Sequence, residues 1–308
     1  MTLHPQSKSF IEAMRVADAP AWQEMTIEQA RKTFNELPIF GDAPEVADVA
    51  DHQLAGINVR IYRPQADGDA IPPATIVFFH GGGWVLGGLD SHDALCRRLA
   101  IAADLPVVSV EYRQPPEDPF PAAAEDCFTV CDALSVEHGQ LNLSANMILA
   151  GDSAGGNLAA VVGLMARERG GPPLLGQVLI YPVLDASMST DSYQQFATDH
   201  GLTAETMAWF WQNYTGNTSA RRNPLACPDA ASDFSGLPPT HLIVAEYDVL
   251  RDEGLQFARR LSDAGVPTTL EHCDGMLHGF VHFAGVFDEA AIVTKQIGKQ
   301  CRRWASAD

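Results

Sequence analysis

Ser153 stands in Gly151-Asp-Ser-Ala-Gly155, between an apolar run at Met147–Ala150 and a small-residue helical pattern from Asn157 to Arg169. Buried strand, sharp turn and helix are the setting of a nucleophile elbow. There a serine is held in strained backbone geometry with its Oγ raised above the carboxyl end of a sheet. The flanking glycines have no Cβ, so strand and helix can close together at the turn. A hydroxyl used this way attacks a carbonyl carbon. It needs a base, an acid to orient that base, and donors for the oxyanion that forms. G-x-S-x-G alone arises by chance in a Gly-rich chain, so its meaning depends on whether the other parts are present.

The donors have a candidate in His80-Gly-Gly-Gly-Trp84, directly after the apolar run Thr75–Phe79. Consecutive glycines cost backbone entropy. A tetrahedral intermediate repays it, because only bare backbone can bring its N–H groups close to the oxyanion. The N–H groups of Gly82, Gly83 and Ala154 are the expected donors. A phosphate loop would require Gly-Lys-Ser/Thr or a helix opening at once, and neither follows.

With the order nucleophile, acid, base expected for such an elbow, the base is sought late among the ten histidines. His272, His278 and His282 qualify by position. His272 falls inside a strand pattern and His282 on a following turn or helix, whereas His278 sits in a loop past the strand end and is preferred. The acid should close the preceding strand, His241–Ala245, which favours Asp248. Asp252 and Glu253 are alternatives, but they open a helix, where acids suit the dipole for structural reasons alone.

The elements that must carry these groups alternate. Strands are expected at 75–79, 107–112, 147–150, 177–181, 241–245 and 268–272, with helices at 91–103 (Ser91 as N-cap), 122–138, 157–169, 253–263 and 286–304. That rhythm predicts a mostly parallel sheet covered on both faces. A hairpin turning at Ala55-Gly56 precedes it, followed by a polar turn over 63–73. Residues 1–45 read as amphipathic helices punctuated by Pro20, Pro38 and Pro44, with Phe10, Ala13, Met14 and Ala17 on one face and Ile27, Ala30, Phe34 and Leu37 on another. They form either a packed arm or part of a lid. About sixty residues separate Tyr181 from His241, far more than a crossover needs. They hold an aromatic helix over 202–214 with Thr203 as N-cap.

Composition narrows the function class. A net charge of −19 argues against nucleic acid or an anionic membrane surface as partner. There is no signal-peptide pattern and no apolar run of spanning length, so a cytoplasmic protein without membrane insertion is expected. The six cysteines form no C-x-x-C pair and read as buried free thiols rather than metal ligands.

Taken together, these motifs resemble the bacterial hormone-sensitive-lipase-like carboxylesterases, a branch of the α/β-hydrolases. The resemblance runs from about Asp51 to Ala305. It includes Glu111-Tyr-Arg113 with Pro119-Phe-Pro-Ala122, Asn223-Pro-Leu225, Leu237-Pro-Pro239, Leu250-Arg-Asp-Glu253 and His278-Gly-Phe280, beside the loop and elbow above. It implies one α/β-hydrolase domain over 1–308, with a mostly parallel sheet of about eight strands, helices on both faces, and a helical cap from residues 1–45 and about 186–220. It implies Ser153, Asp248 and His278 as triad, Gly82, Gly83 and Ala154 as oxyanion hole, no cofactor or metal, and short- to medium-chain carboxylic esters as small-molecule substrates. A homodimer is open to it. Gln114-Pro115-Pro116 departs from the usual Leu-Ala-Pro, and Val249 from a common proline. Trp84, Phe196, Trp209 and Phe210 are expected either to line an apolar pocket or to be ordinary packing. An amidase or deacetylase on the same triad, and a non-catalytic ligand-binding relative, are the competing functions.

Overall fold

The apolar runs become the inner strands of one sheet in the computed structural model, which describes residues 2–37, 40–65, 71–216 and 219–307. The strands are β1 (Asp48–Leu54), β2 (Ile57–Arg63), β3 (Thr75–Phe79), β4 (Val107–Val110), β5 (Met147–Asp152), β6 (Leu174–Ile180), β7 (Thr240–Tyr247) and β8 (Thr268–Leu277). They lie in the order β1-β2-β4-β3-β5-β6-β7-β8. From β4 through β8 every pairing is parallel, and β2 runs antiparallel to both β1 and β4. β3, β4, β5 and β7 are buried along their whole length, as strands covered on both faces must be. On one side α3 (Asp93–Ala103) and α9 (Glu289–Ala305) pack on each other. On the other, α4 (Ala122–Glu137) packs on α5 (Ala154–Arg169), and α8 (Arg251–Asp263) lies across β7 and β8.

The hairpin turns where expected. Ala55 and Gly56 have φ of 50° and 82°, the left-handed pair a two-residue turn of this type requires. Among the boundaries that differ from the sequence reading, four bear on the site. α5 begins at Ala154, three residues early, because Ser153 makes the whole turn. β4 ends at Val110, leaving Glu111 and Tyr112 beyond the sheet. β8 runs on to Leu277, because its pairing with β7 resumes past an irregularity between Ala245 and Tyr247. Ser91 caps nothing: its Oγ bonds Gly88 and His92, and α3 starts at Asp93.

The N-terminal segment forms α1 (Pro5–Ala17) and α2 (Ile27–Asn35). α2 buries Ala30 and Phe34 as the periodicity predicts. α1 buries only part of its expected face: Phe10 packs on Phe283 and Phe287, but Ala13, Met14 and Ala17 are exposed. Met14 is 46% exposed, while Ser7 is fully buried and donates to the Gly275 carbonyl at 2.7 Å. The long interval contains α6 (Asp191–Gln195) and α7 (Ala204–Thr215), whose N-cap Thr203 accepts from the Thr206 N–H at 3.0 Å. Pro38, the middle of the polar turn at 66–70 and residues 217–218 of the insertion lie outside the described residues. Among the described residues all six cysteines are free and buried, and no helix is long and apolar enough to cross a membrane.

Glu253 ties the insertion to the sheet. Its Oε1 accepts from the N–H groups of Leu184, at 2.6 Å, and Asp185, at 3.3 Å, while Oε2 has no partner among the described residues. Complete burial pushes this carboxyl well above its ordinary range. The unfolded carboxyl ionises above about pH 4.3 while the folded one keeps its proton. Its contribution to stability is therefore full below that pH and declines as pH rises toward the folded pKa. Glu253→Gln reproduces the protonated acid. In thermal melts it should raise Tm near about pH 8, and the gain should vanish near about pH 4. A difference that does not change with pH would contradict this.

Candidate active site

The elbow brings Ser153 to the middle of the sheet. Ser153 has φ 55° and ψ −116°, a region costly for a residue with a Cβ. Close packing enforces it. A Cβ on Gly155 would fall 1.9 Å from the Phe79 carbonyl oxygen, and one on Gly151 would fall 2.2 Å from the Gly155 oxygen. α5 can therefore press onto β3 and β5 only through glycine.

Three side chains from three loops meet there. His278, the first residue past β8, places Nε2 3.0 Å from Ser153 Oγ and Nδ1 2.7 Å from Asp248 Oδ2. Asp248 follows β7 directly and is 2% exposed; its Oδ1 accepts from the Leu250 N–H at 2.9 Å. With the proton on Nδ1 donated to Asp248, Nε2 is free to accept from the serine hydroxyl. The Tyr181 ring, on a backbone at φ 35°, stands 4.7 Å from the imidazole. The rival residues are elsewhere. His272 is held by Asp274, and His282 donates from Nε2 to the Ser91 carbonyl. Asp252 accepts from the Ser192 N–H and pairs with Arg251, and Glu253 holds Leu184.

The glycine loop lies beside the elbow. Gly82 and Gly83 have φ of 103° and 59°, and the Leu86 N–H closes the turn onto the Gly82 carbonyl at 2.8 Å. Among the described residues the N–H groups of Gly82, Gly83 and Ala154 donate to no protein acceptor. The last of these opens α5, where the helix dipole adds positive potential.

Several supports were not legible in the sequence. Arg31 on α2 donates from Nε to the Val85 carbonyl at 2.9 Å, from Nη2 to the Pro115 carbonyl at 2.9 Å, and from Nη1 and Nη2 to the two oxygens of Glu117. Gln114, one of the departures from the family pattern, reaches the Leu86 carbonyl at 3.0 Å. Tyr112 donates to the His80 carbonyl at 2.8 Å and stacks on its ring. Only the Tyr112-Arg113 pair carried a signal, through its place in a recurring motif.

The four aromatic residues separate. Phe210 rests on Gly83, whose Cβ would fall 2.1 Å from the ring, with partly buried Trp209 beside it. Trp84 is fully buried, stacked flat on Tyr214 at 4.1 Å. Phe196 packs on Tyr247, next to Asp248, and on His200.

A family model described as alpha/beta hydrolase fold matches residues 76–282. Esterase LipI of Mycobacterium tuberculosis is 39% identical over 276 residues, covering 88% of this chain and 86% of that protein. An ethyl acetate hydrolase of Pseudomonas putida is 34% identical over 304 residues, covering 94% and 95% of the two chains. Among solved structures, a thermostable esterase from Pseudomonas putida superposes with a TM-score of 0.94 at 33% identity, covering 100% of this chain and 99% of that one. A hyperthermophilic esterase from Pyrobaculum calidifontis gives 0.92 at 37%, covering both chains completely.

Gly155→Ala should push α5 away from β3. Overpacking of this kind costs about 1–3 kcal/mol, so Tm should fall and hydrolysis of an activated ester should drop at least about tenfold as Ser153 moves from His278. Wild-type melting and activity would contradict the packing argument.

Proposed function

The chain belongs to the alpha/beta-hydrolase-fold family, and from that premise we propose that it is a serine carboxylesterase acting on short- to medium-chain carboxylic esters. The observation that carries this reading is the unbroken hydrogen-bond chain Asp248–His278–Ser153 beside a glycine loop with unspent N–H groups. His278 Nε2 takes the hydroxyl proton as Ser153 Oγ attacks the ester carbonyl carbon. The Gly82, Gly83 and Ala154 N–H groups receive the oxyanion. Asp248 keeps the imidazole tautomer and stabilises the imidazolium, which then protonates the leaving alcohol. Water repeats the sequence on the acyl-enzyme with His278 as base. The relatives described as esterases and as an ethyl acetate hydrolase support a small acyl group.

In this reading α1, α2, α6 and α7 form the cap of a single domain, and Phe210 and Trp209 lie where the ester enters. The position of Phe210 on Gly83 favours a limit on substrate size. Six free buried thiols suit a reducing compartment.

Ser153→Ala should abolish the burst of alcohol from an activated ester, and loss of a triad member should lower kcat by about 10⁴–10⁶. A retained burst would sink the assignment. Phe210→Ala should shift preference toward longer acyl chains in a panel of esters, and an unchanged preference would remove Phe210 from the pocket. The same panel paired with matching amides separates an esterase from an amidase.

A further inference from the structure

Behind the glycine loop lies a group of titratable side chains that the mechanism does not use. His80, His92, Asp152 and His282 are at most 3% exposed. Asp152 Oδ1 accepts the Gly81 N–H at 2.8 Å and lies 3.3 Å from His92 Nε2. His92 Nδ1 is 2.9 Å from Ser91 Oγ, and its ring stacks on His282 at 3.8 Å and 13°. His282 in turn donates from Nε2 to the Ser91 carbonyl at 2.8 Å.

Ligand atoms of His92, Asp152 and His282 lie within 4.8 Å of one another, close enough to raise the question of a metal ion. The stacking argues against one. Imidazole nitrogens bind a metal in the ring plane, and two rings on one ion converge on it, whereas these rings are nearly parallel and face to face. The cluster is a hydrogen-bonded network.

We propose that Asp152 is a positioning residue for the reaction, one whose carboxylate fixes the oxyanion loop against the nucleophile elbow. This rests on reading Gly82 and Gly83 as oxyanion donors. Asp152 immediately precedes Ser153, and the N–H it holds belongs to Gly81, immediately before Gly82. The same N–H also lies 3.3 Å from His92 Nε2, but Asp152 is the nearer acceptor, and it links the residue beside the attacking oxygen to the loop that receives the developing charge, independently of the triad. The fit is tight from the other side too. A Cβ on Gly81 would fall 2.5 Å from Asp152 Oδ2, so the carboxylate lies directly against the loop backbone. His92 holds the carboxylate from behind, and its ring is itself clamped by Ser91 and His282.

The electrostatics agree with this arrangement. Burial pushes the Asp152 carboxyl up, but the neighbouring His92, then His282 and the Gly81 N–H, outweigh it and hold it down at about 2. Burial, together with His92, holds the His80 and His282 imidazoles down at about 3. An ionised acceptor makes a hydrogen bond roughly twice as strong as a neutral one. Oxyanion donors must be held to about 0.5 Å to be effective, and losing one such donor costs about 10²–10³ in kcat.

The test compares wild type, Asp152→Asn and Asp152→Ala, each counted by end-point titration of active serines with a fluorophosphonate. Per active serine, Asp152→Ala should lose kcat by about 10²–10³ with KM little changed. Asp152→Asn keeps the acceptor and the shape, and should lose about tenfold. Affinity for a trifluoromethyl ketone, which mimics the tetrahedral intermediate, should fall in parallel with kcat/KM. If the alanine variant does not fold, the asparagine variant carries the same comparison. A purely structural Asp152 would lower Tm or the number of active serines and leave kcat per serine within about twofold and ketone affinity unchanged; that result overturns the proposal. Failure of wild type to titrate would overturn the esterase reading instead, so the two failures are distinguishable.

Discussion

The closeness of α5 to β3 and β5 is the constraint on which the rest of the site depends. It exists because Gly151 and Gly155 carry no side chain where the Gly155 and Phe79 oxygens already stand. That contact forces Ser153 to φ 55° and makes the helix begin one residue later. Backbone strain of this kind costs about 1–3 kcal/mol and persists only where its surroundings over-determine it. Here they do. The Ser153 N–H donates to the Ile180 carbonyl at 2.8 Å, and its carbonyl accepts from Val183 at 3.2 Å and Asn157 at 3.0 Å.

From that fixed point the other parts are braced by elements distant in sequence. α2 reaches the glycine loop through Arg31, and α7 reaches it through the Trp84–Tyr214 stack and Phe210 on Gly83. The loop after Asp248 is tied to the insertion: Asp252 accepts from the Ser192 N–H at 2.8 Å, Ser192 Oγ donates to the Val249 carbonyl at 2.7 Å, and Glu253 holds Leu184. On the histidine side, Ser7 and His4 of the N-terminal segment both bond the Gly275 carbonyl, three residues before His278. The N-terminal and insertion helices are thus bonded to, or packed on, the loops that carry the glycines, Asp248 and His278.

The chemistry was legible because it restricts residue types. An elbow needs glycines around a serine, an oxyanion loop needs bare backbone, and the order of acid and base follows the strands. Those demands led to Ser153, Asp248, His278 and the Gly82–Gly83 loop, which the structure brings together. Residues that act through tertiary contact left no such mark. Arg31, Gln114 and Asp152 have local neighbourhoods consistent with any surface, loop or elbow position. A hydroxyl before a helix looks like a cap, but Ser91 Oγ is engaged with Gly88 and the His92 ring instead. Of the expected face of α1 only Phe10 packs inward, because the helix also docks on the Gly275 backbone through Ser7, a contact that hydrophobic periodicity does not register. β8 was read short because an irregularity in its partner interrupts the pattern before Leu277.

Whether Ser153, activated by His278, is the nucleophile is tested by mass spectrometry of the folded enzyme after reaction with a phosphonate ester at sub-stoichiometric amounts. A single adduct on the peptide carrying Ser153 is expected, formed at a rate that collapses in His278→Ala. An adduct on another residue, or labelling of Ser153 at the same rate without His278, would contradict it.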